Sequence, residues 1–415
     1  MKYPPCYLEA YSRTRPENKN KMGGGYIQAV AYGSQDIYLT GNPQITFFKA
    51  VYKRHTNFAV ESIEVGYLGN ADFGGKVVCT LPTHGDLVKD IFIEWEVDNT
   101  TDLIPSAGTW LFRQMDLEIG GQLIDRQYAD WLKIWSELTL PGGKLTGYQQ
   151  MTGDYTALGT SAPDSNKFIV PLQFFFCRHS GLALPLIALS AAEVKITLYL
   201  ETSDKLQVSD TAAAKTISSF KIWADYIFMD TDERRRFSQS GHEYLIEQVQ
   251  TIPDNLLTSG TNVRIPLDFN YPVKELLWWG RKTWEQSVNN NFNNHHLTFT
   301  NGGYLALNGT QRFYPRRQEY FLNVQNYEHH ERVPRYGTID GRTFYNYIYT
   351  YSFALEPEKH QPSGVCNFTR LKSADLYLDG IDFHNSGGTG IIRVFAHGYN
   401  ILRIMSGMAG LAYSN

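Results

Sequence analysis

Apolar and polar residues alternate with a period of two along most of this chain, and this pattern predicts β-strands. In residues 91–97 every second side chain is apolar, and Glu94 and Glu96 point to the opposite face. The same alternation returns at 115–119, 194–200, 220–228, 263–269 and 375–379, and 391–404 are again strand-like. One apolar face and one polar face are typical of antiparallel sandwiches, whereas parallel sheets are buried on both faces. The pattern therefore predicts an all-β protein.

Two stretches depart from this alternation. Residues 129–138 place Trp131, Trp135 and Leu138 at helical spacing, and Pro141 follows, so we expect a short helix that covers one end of a sandwich. Residues 230–241 are polar, and we interpret them as a connector with some helical tendency. Residues typical of turns separate the strands. The glycine pair at 120–121 predicts a two-residue hairpin turn, and Gly380 predicts a turn. A further hairpin is predicted at residues 301–303.

One pattern occurs in both halves of the chain. Residues 88–91 (VKDI) are followed by 119–122 (IGGQ), and 273–276 (VKEL) are followed at similar spacing by 307–310 (LNGT). We interpret this as a duplicated β-domain in a single polypeptide. Three such chains around a threefold axis would present six similar units, which is a way to tile a surface, so a shell is the leading hypothesis.

Composition agrees with two domains and excludes several classes. The chain has 415 residues, more than one hydrophobic core usually holds. Its 38 Lys and Arg nearly balance 42 Asp and Glu, which argues against a dedicated nucleic-acid binder. The four cysteines (Cys6, Cys79, Cys177 and Cys366) lie far apart, so we expect reduced thiols rather than disulfides or a zinc site. No secretory signal or membrane-spanning run is recognisable, and we expect a soluble chain assembled inside a cell.

Candidate chemistry is sparse. The pairs His295-His296 and His329-His330, the latter followed by Glu331, are the best metal candidates, but neighbouring residues on a strand point to opposite faces. We therefore expect hydrogen-bonded loop histidines and no metal. Motifs of serine hydrolases, zinc peptidases and phosphate-binding loops are missing from the sequence, so we predict no catalytic residues and no cofactor.

Two basic runs and three sequons remain. The run 234–236 follows acidic residues, and we interpret it as forming ion pairs in the connector, while 316–317 reads as an exposed turn. The N-x-[ST] pattern occurs at Asn99, Asn308 and Asn367, which are weak candidates for glycosylation.

Several longer stretches resemble the major capsid proteins of large icosahedral nucleocytoplasmic double-stranded DNA viruses. They are 25–49 (GYIQ through TGNPQITFFK), 52–58 (YKRHTNF), 119–122 with Trp131, 181–189 (GLALPLIAL), 230–237 (DTDERRRF), 360–368 (HQPSGVCNF) and 399–415. The matches extend from about residue 25 to the last residue, and together they are specific.

The resemblance implies a double jelly roll, that is, two tandem eight-stranded sandwiches with short helices in the loops and the connector. It gives an N-terminal arm at 1–24, a first jelly roll at 25–230, a connector at 231–242 and a second jelly roll at 243–415. Family members commonly begin near the residue equivalent to Met22, so residues 1–21 are extra. The chain is also rather short for the family.

For function, the resemblance implies a structural, non-enzymatic protein whose pseudo-hexagonal homotrimers tile an icosahedral shell. Its expected partners are sister chains, neighbouring capsomers and minor capsid proteins, with an internal viral membrane nearby but not spanned and no direct contact with nucleic acid. It would reside in the virion after assembly in the host cytoplasm. Two alternatives stay open: a minor, specialised capsomer, or a jelly-roll protein that binds glycans for attachment, because a sandwich alone does not separate these functions.

Overall fold

A computed structural model describes residues 24–155, 163, 165–208, 215–260, 262–282, 296–339, 342–383 and 389–413. Residues 1–23 of the predicted arm, including Cys6, and His295 lie outside these residues. The chain divides into one unit that ends at His55 and a second that begins at Thr56.

The first unit contains two short helices, α1 (Gly24–Val30) and α2 (Ile37–Thr40). Between them the backbone N–H of Gly33 donates to Asp36 Oδ2 at 2.8 Å, which closes a local turn. Phe47 and Phe48 are 90% and 97% exposed, so the unit does not form a core of its own around them.

The second unit begins with nine strands that form two antiparallel sheets, in the orders β1-β9-β4-β7 and β2-β3-β8-β5-β6. The strands are β1 (Phe58–Val65), β2 (Leu68–Gly69), β3 (Lys76–Thr80), β4 (Leu87–Val97), β5 (Phe112–Ile119), β6 (Gln122–Gln127), β7 (Lys167–Pro171), β8 (Val194–Leu200) and β9 (Ile217–Met229).

The rest of the second unit forms another pair of facing sheets. One has the order β10-β21-β13-β18, joined at its margins by β11, β19 and β22; the other has the order β12-β20-β14-β15. A small sheet pairs β16 with β17. The strands are β10 (His242–Thr251), β11 (Asn255–Thr258), β12 (Val263–Pro266), β13 (Pro272–Lys282), β14 (Thr298–Leu307), β15 (Thr310–Gln311), β16 (Tyr336–Ile339), β17 (Arg342–Tyr345), β18 (Tyr349–Ser352), β19 (Cys366–Asn367), β20 (Ala374–Asp382), β21 (Thr389–Met405) and β22 (Met408–Leu411).

Both sandwiches have one topology. Eight principal strands can be numbered 1 to 8 in chain order in each sandwich: β1 and β3–β9 in the first, and β10, β12–β15, β18, β20 and β21 in the second. With these numbers the two sheets have the orders 1-8-3-6 and 2-7-4-5 in both sandwiches. Two four-stranded sheets connected in this way form a jelly roll. The predicted all-β double jelly roll is therefore confirmed, and the repeated sequence pattern corresponds to a repeated topology.

Helices occupy the loops and the connector. They are α3 (Ala107–Trp110), α4 (Ala129–Thr139), α5 (Gly142–Thr152), α6 (Phe175–Arg178), α7 (Thr231–Gln239) and α8 (Gln325–His329), with short 3-10 segments at Ser180–Leu182, Leu186–Ala188, Ser203–Leu206 and Phe368–Arg370 and a π-helical turn at Tyr320–Val324. The helices predicted in α4 and in the connector are confirmed. No described helix is long and apolar enough to cross a membrane.

The apolar face of each alternating strand lies in a core, as predicted. On β4 the side chains of Ile91, Ile93, Trp95 and Val97 are at most 1% exposed, and the Trp95 ring stacks on Phe168 with centroids 4.6 Å apart. The hairpin turn at 120–121 is also confirmed, because both glycines have positive φ, at 59° and 83°.

Two turn predictions are wrong. Gly380 does not end a strand, and 301–303 do not form a hairpin, because β14 and β20 continue through these positions. The pairing of β14 with β20 shifts between Phe299 and Gly302, and Gly302 and Gly380 have φ of 101° and 68°. The glycines therefore accommodate a β-bulge, which needs the same backbone freedom as a turn.

Candidate functional site: the seam between the jelly rolls

Strand β13 lies between two apolar layers, and this position creates the seam between the jelly rolls. Residues 273–280 are all buried. Leu276 and Trp278 belong to the core of the second roll, whereas Leu277 and Trp279 join the core that the first roll provides. Trp279 stacks on Trp110 of the first roll, with ring centroids 6.2 Å apart. The outer face of this sheet is thus buried against the other roll rather than exposed to water.

Ion pairs cross the seam at its margins. Arg393 on β21 reaches Asp130 on α4 of the first roll, and its Nε and Nη2 also donate to Asp254 at 2.7 Å each. Arg332 Nη2 donates to Glu137 Oε2 on α4 at 3.2 Å. These contacts fix the first roll's helix against two separate parts of the second roll.

A buried group of charged side chains fills the centre of the seam, and we call it the acid–base cluster. Its members come from six elements or loops of both rolls: Arg178, Glu247, Lys274, Glu275, His330, Glu358 and His397. They border a cavity of about 110 Å³ whose other wall contains Trp131, Ile134, Trp135 and Leu138 of α4. A polar cavity of this size has room for water.

Glu247 and Glu275 are the hubs of this cluster. Glu247 Oε1 lies 2.7 Å from Lys274 Nζ, and its Oε2 accepts a 2.7 Å bond from Arg178 Nη1. Glu275 Oε1 lies 2.7 Å from His397 Nδ1, and its Oε2 lies 3.3 Å from His330 Nε2. Arg178 belongs to the first roll and the others to the second, so the cluster joins the rolls electrostatically.

Burial and ion pairing oppose each other in the pKa values of this cluster. Burial alone would raise the pKa of Glu275, but the facing His330 and the bond with His397 hold that pKa at about 2. Burial acts in the same direction on Glu247, yet Lys274 and His397 keep its pKa well below the usual range. For Lys274 burial prevails, and its pKa is lowered although Glu247 and Glu275 offset part of the effect. Both hub carboxylates are therefore ionised at neutral pH.

Asp125 extends the polar part of the seam. Its Oδ1 accepts the backbone N–H of Val249 on β10 at 3.2 Å, and its Oδ2 accepts a bond from Gln127 at 2.7 Å. Burial raises the pKa of Asp125 to about 6, and these two bonds offset part of the effect. This carboxyl group therefore titrates close to neutral pH.

The histidines predicted as loop residues have different environments. His329 and His330 lie at the end of α8 rather than on a strand, so the geometric reason for rejecting them as a pair was wrong. His329 Nδ1 lies 3.0 Å from the Leu355 carbonyl, whereas His330 enters the acid–base cluster. His296 packs on Tyr347. Within the described residues, no group of three or more His, Cys, Asp or Glu side chains is arranged to hold a metal ion.

The three sequons lie on the surface. Asn99, Asn308 and Asn367 are exposed, and the Oδ1 of each accepts a backbone N–H, from Thr101, Lys372 and Thr369 respectively. Asn99 and Asn367 thus stabilise local turns, whereas Asn308 contacts a distant part of the chain, and glycosylation at all three stays a prediction.

The basic runs lie on the surface, but the ion pair of the connector run is not the local one that we expected. Arg234 of the connector helix pairs with Asp86, which precedes β4, at 2.9 Å, so its partner lies outside the connector. Arg316 and Arg317 are exposed.

Four exposed apolar side chains lie on two segments of the second roll, the helical turns at 320–329 and the loop at 353–365, which a hydrogen bond from His329 to the Leu355 carbonyl joins. We call them the loop patch: Val324, Tyr327, Leu355 and Val365, which are 42%, 81%, 73% and 46% exposed. Large apolar side chains grouped on a surface are typical of protein–protein contacts.

Comparisons with known proteins identify the same family in both halves of the chain. A family model described as "Major capsid protein N-terminus" matches residues 46–230, and one described as "Large eukaryotic DNA virus major capsid protein" matches 233–410. The major capsid protein of Pyramimonas orientalis virus is 48% identical and that of Paramecium bursaria Chlorella virus 1 is 38% identical; each alignment covers 95% of this chain and 100% of the relative.

Solved structures give the same result. A quasi-atomic model of the PBCV-1 virus capsid has a TM-score of 0.74 and 33% identity, and the match covers 89% of this chain and 100% of that one. The Faustovirus major capsid protein has a TM-score of 0.70 at 13% identity, with 90% and 94% covered, which shows a shared fold.

Proposed function

Since this chain belongs to the family of major capsid proteins of large eukaryotic DNA viruses, we propose that it acts as a homotrimer whose six jelly rolls form a pseudo-hexagonal capsomer. A capsid protein has its place in the virion, and its function is assembly. The observation that carries the trimer is the repeated topology, 1-8-3-6 and 2-7-4-5 in both rolls. Two equivalent units per chain become six around a threefold axis, which is an outline that packs into a continuous lattice.

The contacts between chains need an apolar surface that one chain leaves uncovered. The loop patch supplies such side chains, and Tyr327 and Leu355 are its most exposed members. Obligate interfaces often bury more than about 2,000 Å² and are rich in apolar and aromatic groups. We place the loop patch in the trimer interface.

Size-exclusion chromatography with light scattering tests the trimer. We expect a mass of three chains for the full-length protein and a loss of trimers for the double variant Tyr327→Ser/Leu355→Ser. Leu68→Ser is the matched control, because Leu68 is 76% exposed but lies on the short strand β2 of the first roll. A monomeric wild type would refute the proposal, and dissociation by the control alone would refute the placement of the interface.

The N-terminal arm, residues 1–24, is proposed to link a trimer to neighbouring capsomers or to minor capsid proteins. Deleting residues 1–21 should leave trimers intact and impair higher assembly, which electron microscopy of assembly reactions would measure. Trimers that dissociate after the deletion would show that the arm acts within the trimer instead.

The domain boundaries are part of the proposal: rolls at 25–230 and 243–415, with a connector at 231–242. The connector helix α7 has no buried residue, and Arg235 and Arg236 within it are trypsin sites. We expect limited trypsin digestion to cut here first and to leave two fragments that stay associated through the seam. Early cleavage within 58–229 would contradict these boundaries.

The remaining features follow from the family. The role is structural rather than enzymatic, and assembly takes place in the host cytoplasm. The shell surrounds an internal membrane. This chain does not span that membrane and does not contact the nucleic acid. Immunogold labelling of infected cells and of purified, detergent-stripped particles would test these locations.

A further inference from the structure

His330 lies between two carboxylates inside the seam. Its Nδ1 is 2.9 Å from Glu358 Oε1 and its Nε2 is 3.3 Å from Glu275 Oε2, while the side chain is only 2% exposed. A neutral imidazole has one N–H and could donate to only one of them, so its other nitrogen would direct a lone pair at a carboxylate. The doubly protonated ring donates to Glu358 and places its positive charge between the two carboxylates. The geometry therefore selects the imidazolium form.

His397 lies in a different environment. Its Nδ1 faces Glu275 Oε1 at 2.7 Å, and its Nε2 lies 3.0 Å from Glu247 Oε2 but also 2.8 Å from Arg178 Nη1, which can only donate. The guanidinium beside His397 therefore distinguishes it from His330, which has two carboxylates as its contacts. The cluster as a whole holds three carboxylates, two histidines, Lys274 and Arg178.

The loop that carries His330 also reaches the first roll. Two residues further on, the backbone N–H of Arg332 donates to the Leu138 carbonyl at 3.0 Å, and its Nη1 donates to the Ser136 carbonyl at 3.3 Å. The contact of His330 with Glu275 holds the start of this segment on β13. Residues 330–332 therefore span from the second roll to helix α4.

We propose that His330 is a pH-sensitive latch of the seam: its protonated ring fixes residues 330–332 between β13 and α4, and loss of the proton releases them. Without the proton, the buried Glu275 and the partly buried Glu358 have no cation between them, and repulsion between like charges opposes the closed loop. The latch is thus closed at neutral pH and opens in alkaline solution.

The pKa of His330 has the direction that this latch needs. Burial alone would lower it, but Glu275 and Glu358 raise it above the ordinary histidine value of about 6.5. A group whose pKa is raised by folding adds stability that is complete below the unfolded pKa. That stability is lost as the pH rises from about 6.5 through the folded pKa.

Other titratable groups face this ring and need a control. Lys274 on β13 opposes the charge on His330. Glu247 on β10, His397 on β21 and Arg178 on α6 lie beyond Glu275, while α4 contributes apolar side chains and Thr139 to the cavity wall. The pKa of Lys274 is lowered, which by itself makes stability rise with pH at the alkaline end. A variant that lacks only the His330 charge keeps all of these groups, so the difference between wild type and variant isolates the latch.

The experiment compares full-length wild type with His330→Gln, at one protein concentration, by denaturant unfolding between pH 6 and pH 9. The ratio of the two folding constants should fall by up to about tenfold per pH unit above pH 6.5, until the folded pKa is passed. His84→Gln is the matched control, because His84 is exposed and packs on Tyr226. The folding constant of His84→Gln should change with pH in the same way as that of the wild type. A ratio for His330→Gln that is constant from pH 6 to pH 9 would overturn the proposal.

A second variant keeps the histidine and removes one carboxylate. In Glu358→Gln the neutral ring can donate Nε2–H to Glu275 and accept the new amide N–H at Nδ1. We expect hydrogen exchange, corrected for its intrinsic pH dependence, to show that residues 330–335 become less protected at pH 9 in wild type but stay protected in Glu358→Gln. Equal exposure of the segment in both proteins at pH 9 would refute the latch, and so would full protection in the wild type.

Discussion

Replacing Glu275 by Gln removes the central negative charge of the seam while conserving its shape. In the wild type the carboxylate contacts His397 at 2.7 Å and His330 at 3.3 Å. Its pKa is about 2 instead of 4.5, and each unit corresponds to about 1.4 kcal/mol, so the ionised form contributes about 3 kcal/mol to folding at neutral pH. Breaking a buried pair by removal of one partner costs about 3–5 kcal/mol, which is the same range.

The assay is guanidinium unfolding followed by tryptophan fluorescence, since Trp278 and Trp279 lie on the same strand as Glu275. We expect Glu275→Gln to lower the free energy of unfolding by about 3 kcal/mol at pH 7. The pKa of Glu275 is lowered by folding, so its contribution is complete above about pH 4.5 and is lost as the pH falls toward 2. The difference between the two proteins should therefore shrink below pH 4.5.

Glu356→Gln is the control for this experiment. Glu356 pairs with Lys359 at 2.6 Å, but both side chains are more than half exposed, and such pairs contribute little. Two outcomes would show that the cluster does not stabilise the seam through this charge. One is a loss of unfolding free energy below about 1 kcal/mol for Glu275→Gln at pH 7, and the other is a loss at pH 3 as large as the loss at pH 7.

Three further predictions concern the cores. Trp279→Ala should reduce the free energy of unfolding by about 3–5 kcal/mol in the same assay, because Trp279 is 1% exposed and stacks on Trp110; a loss under 1 kcal/mol would contradict the seam packing. Gly153→Ala should lower the melting temperature, because its φ is 73° and a Cβ would lie 2.4 Å from the Phe168 ring; an unchanged melting temperature would contradict this geometry. Burial raises the pKa of Cys79 to about 12, so iodoacetamide at pH 8 should modify it only after unfolding, as mass spectrometry would show.

The fold was largely predictable from the sequence because a jelly roll repeats a local rule. A period of two places alternate side chains in the core, and the paired glycines at 120–121 close a hairpin that the pattern on both sides requires. The rule does not distinguish a turn from a bulge, and so Gly302 and Gly380 were assigned to turns. Helix α5 was not predicted, because its glycine-rich sequence has low helix propensity. Leu145 and Tyr148 bury one side of it in the tertiary structure.

The seam was not predictable in the same way. Period-two reasoning assigns one face of a strand to the core and the other to solvent, but β13 is covered on both faces. The residues Lys274 and Glu275 therefore read as a polar surface although they are 0% and 3% exposed. Their partners come from distant parts of the same roll: His397 lies opposite Glu275 on the neighbouring strand β21, and His330 comes from the end of α8. The one available signal was the run at 276–279, in which four apolar residues follow each other without alternation.

The placement of charge at the seam has a consequence for assembly. Buried ion pairs seldom add more stability than apolar side chains of similar volume, because desolvation offsets the attraction. Their partners are specific, however: Arg178 meets Glu247, and Arg332 meets Glu137, in only one relative position of the two rolls. The apolar contact of Trp110 with Trp279 supplies the attraction without such a requirement. The proposed capsomer needs both, since an error in the angle between the two rolls of a chain would be repeated in each of the three chains and again in every neighbour of the lattice. The acid–base cluster therefore determines orientation, and the aromatic part of the seam determines strength.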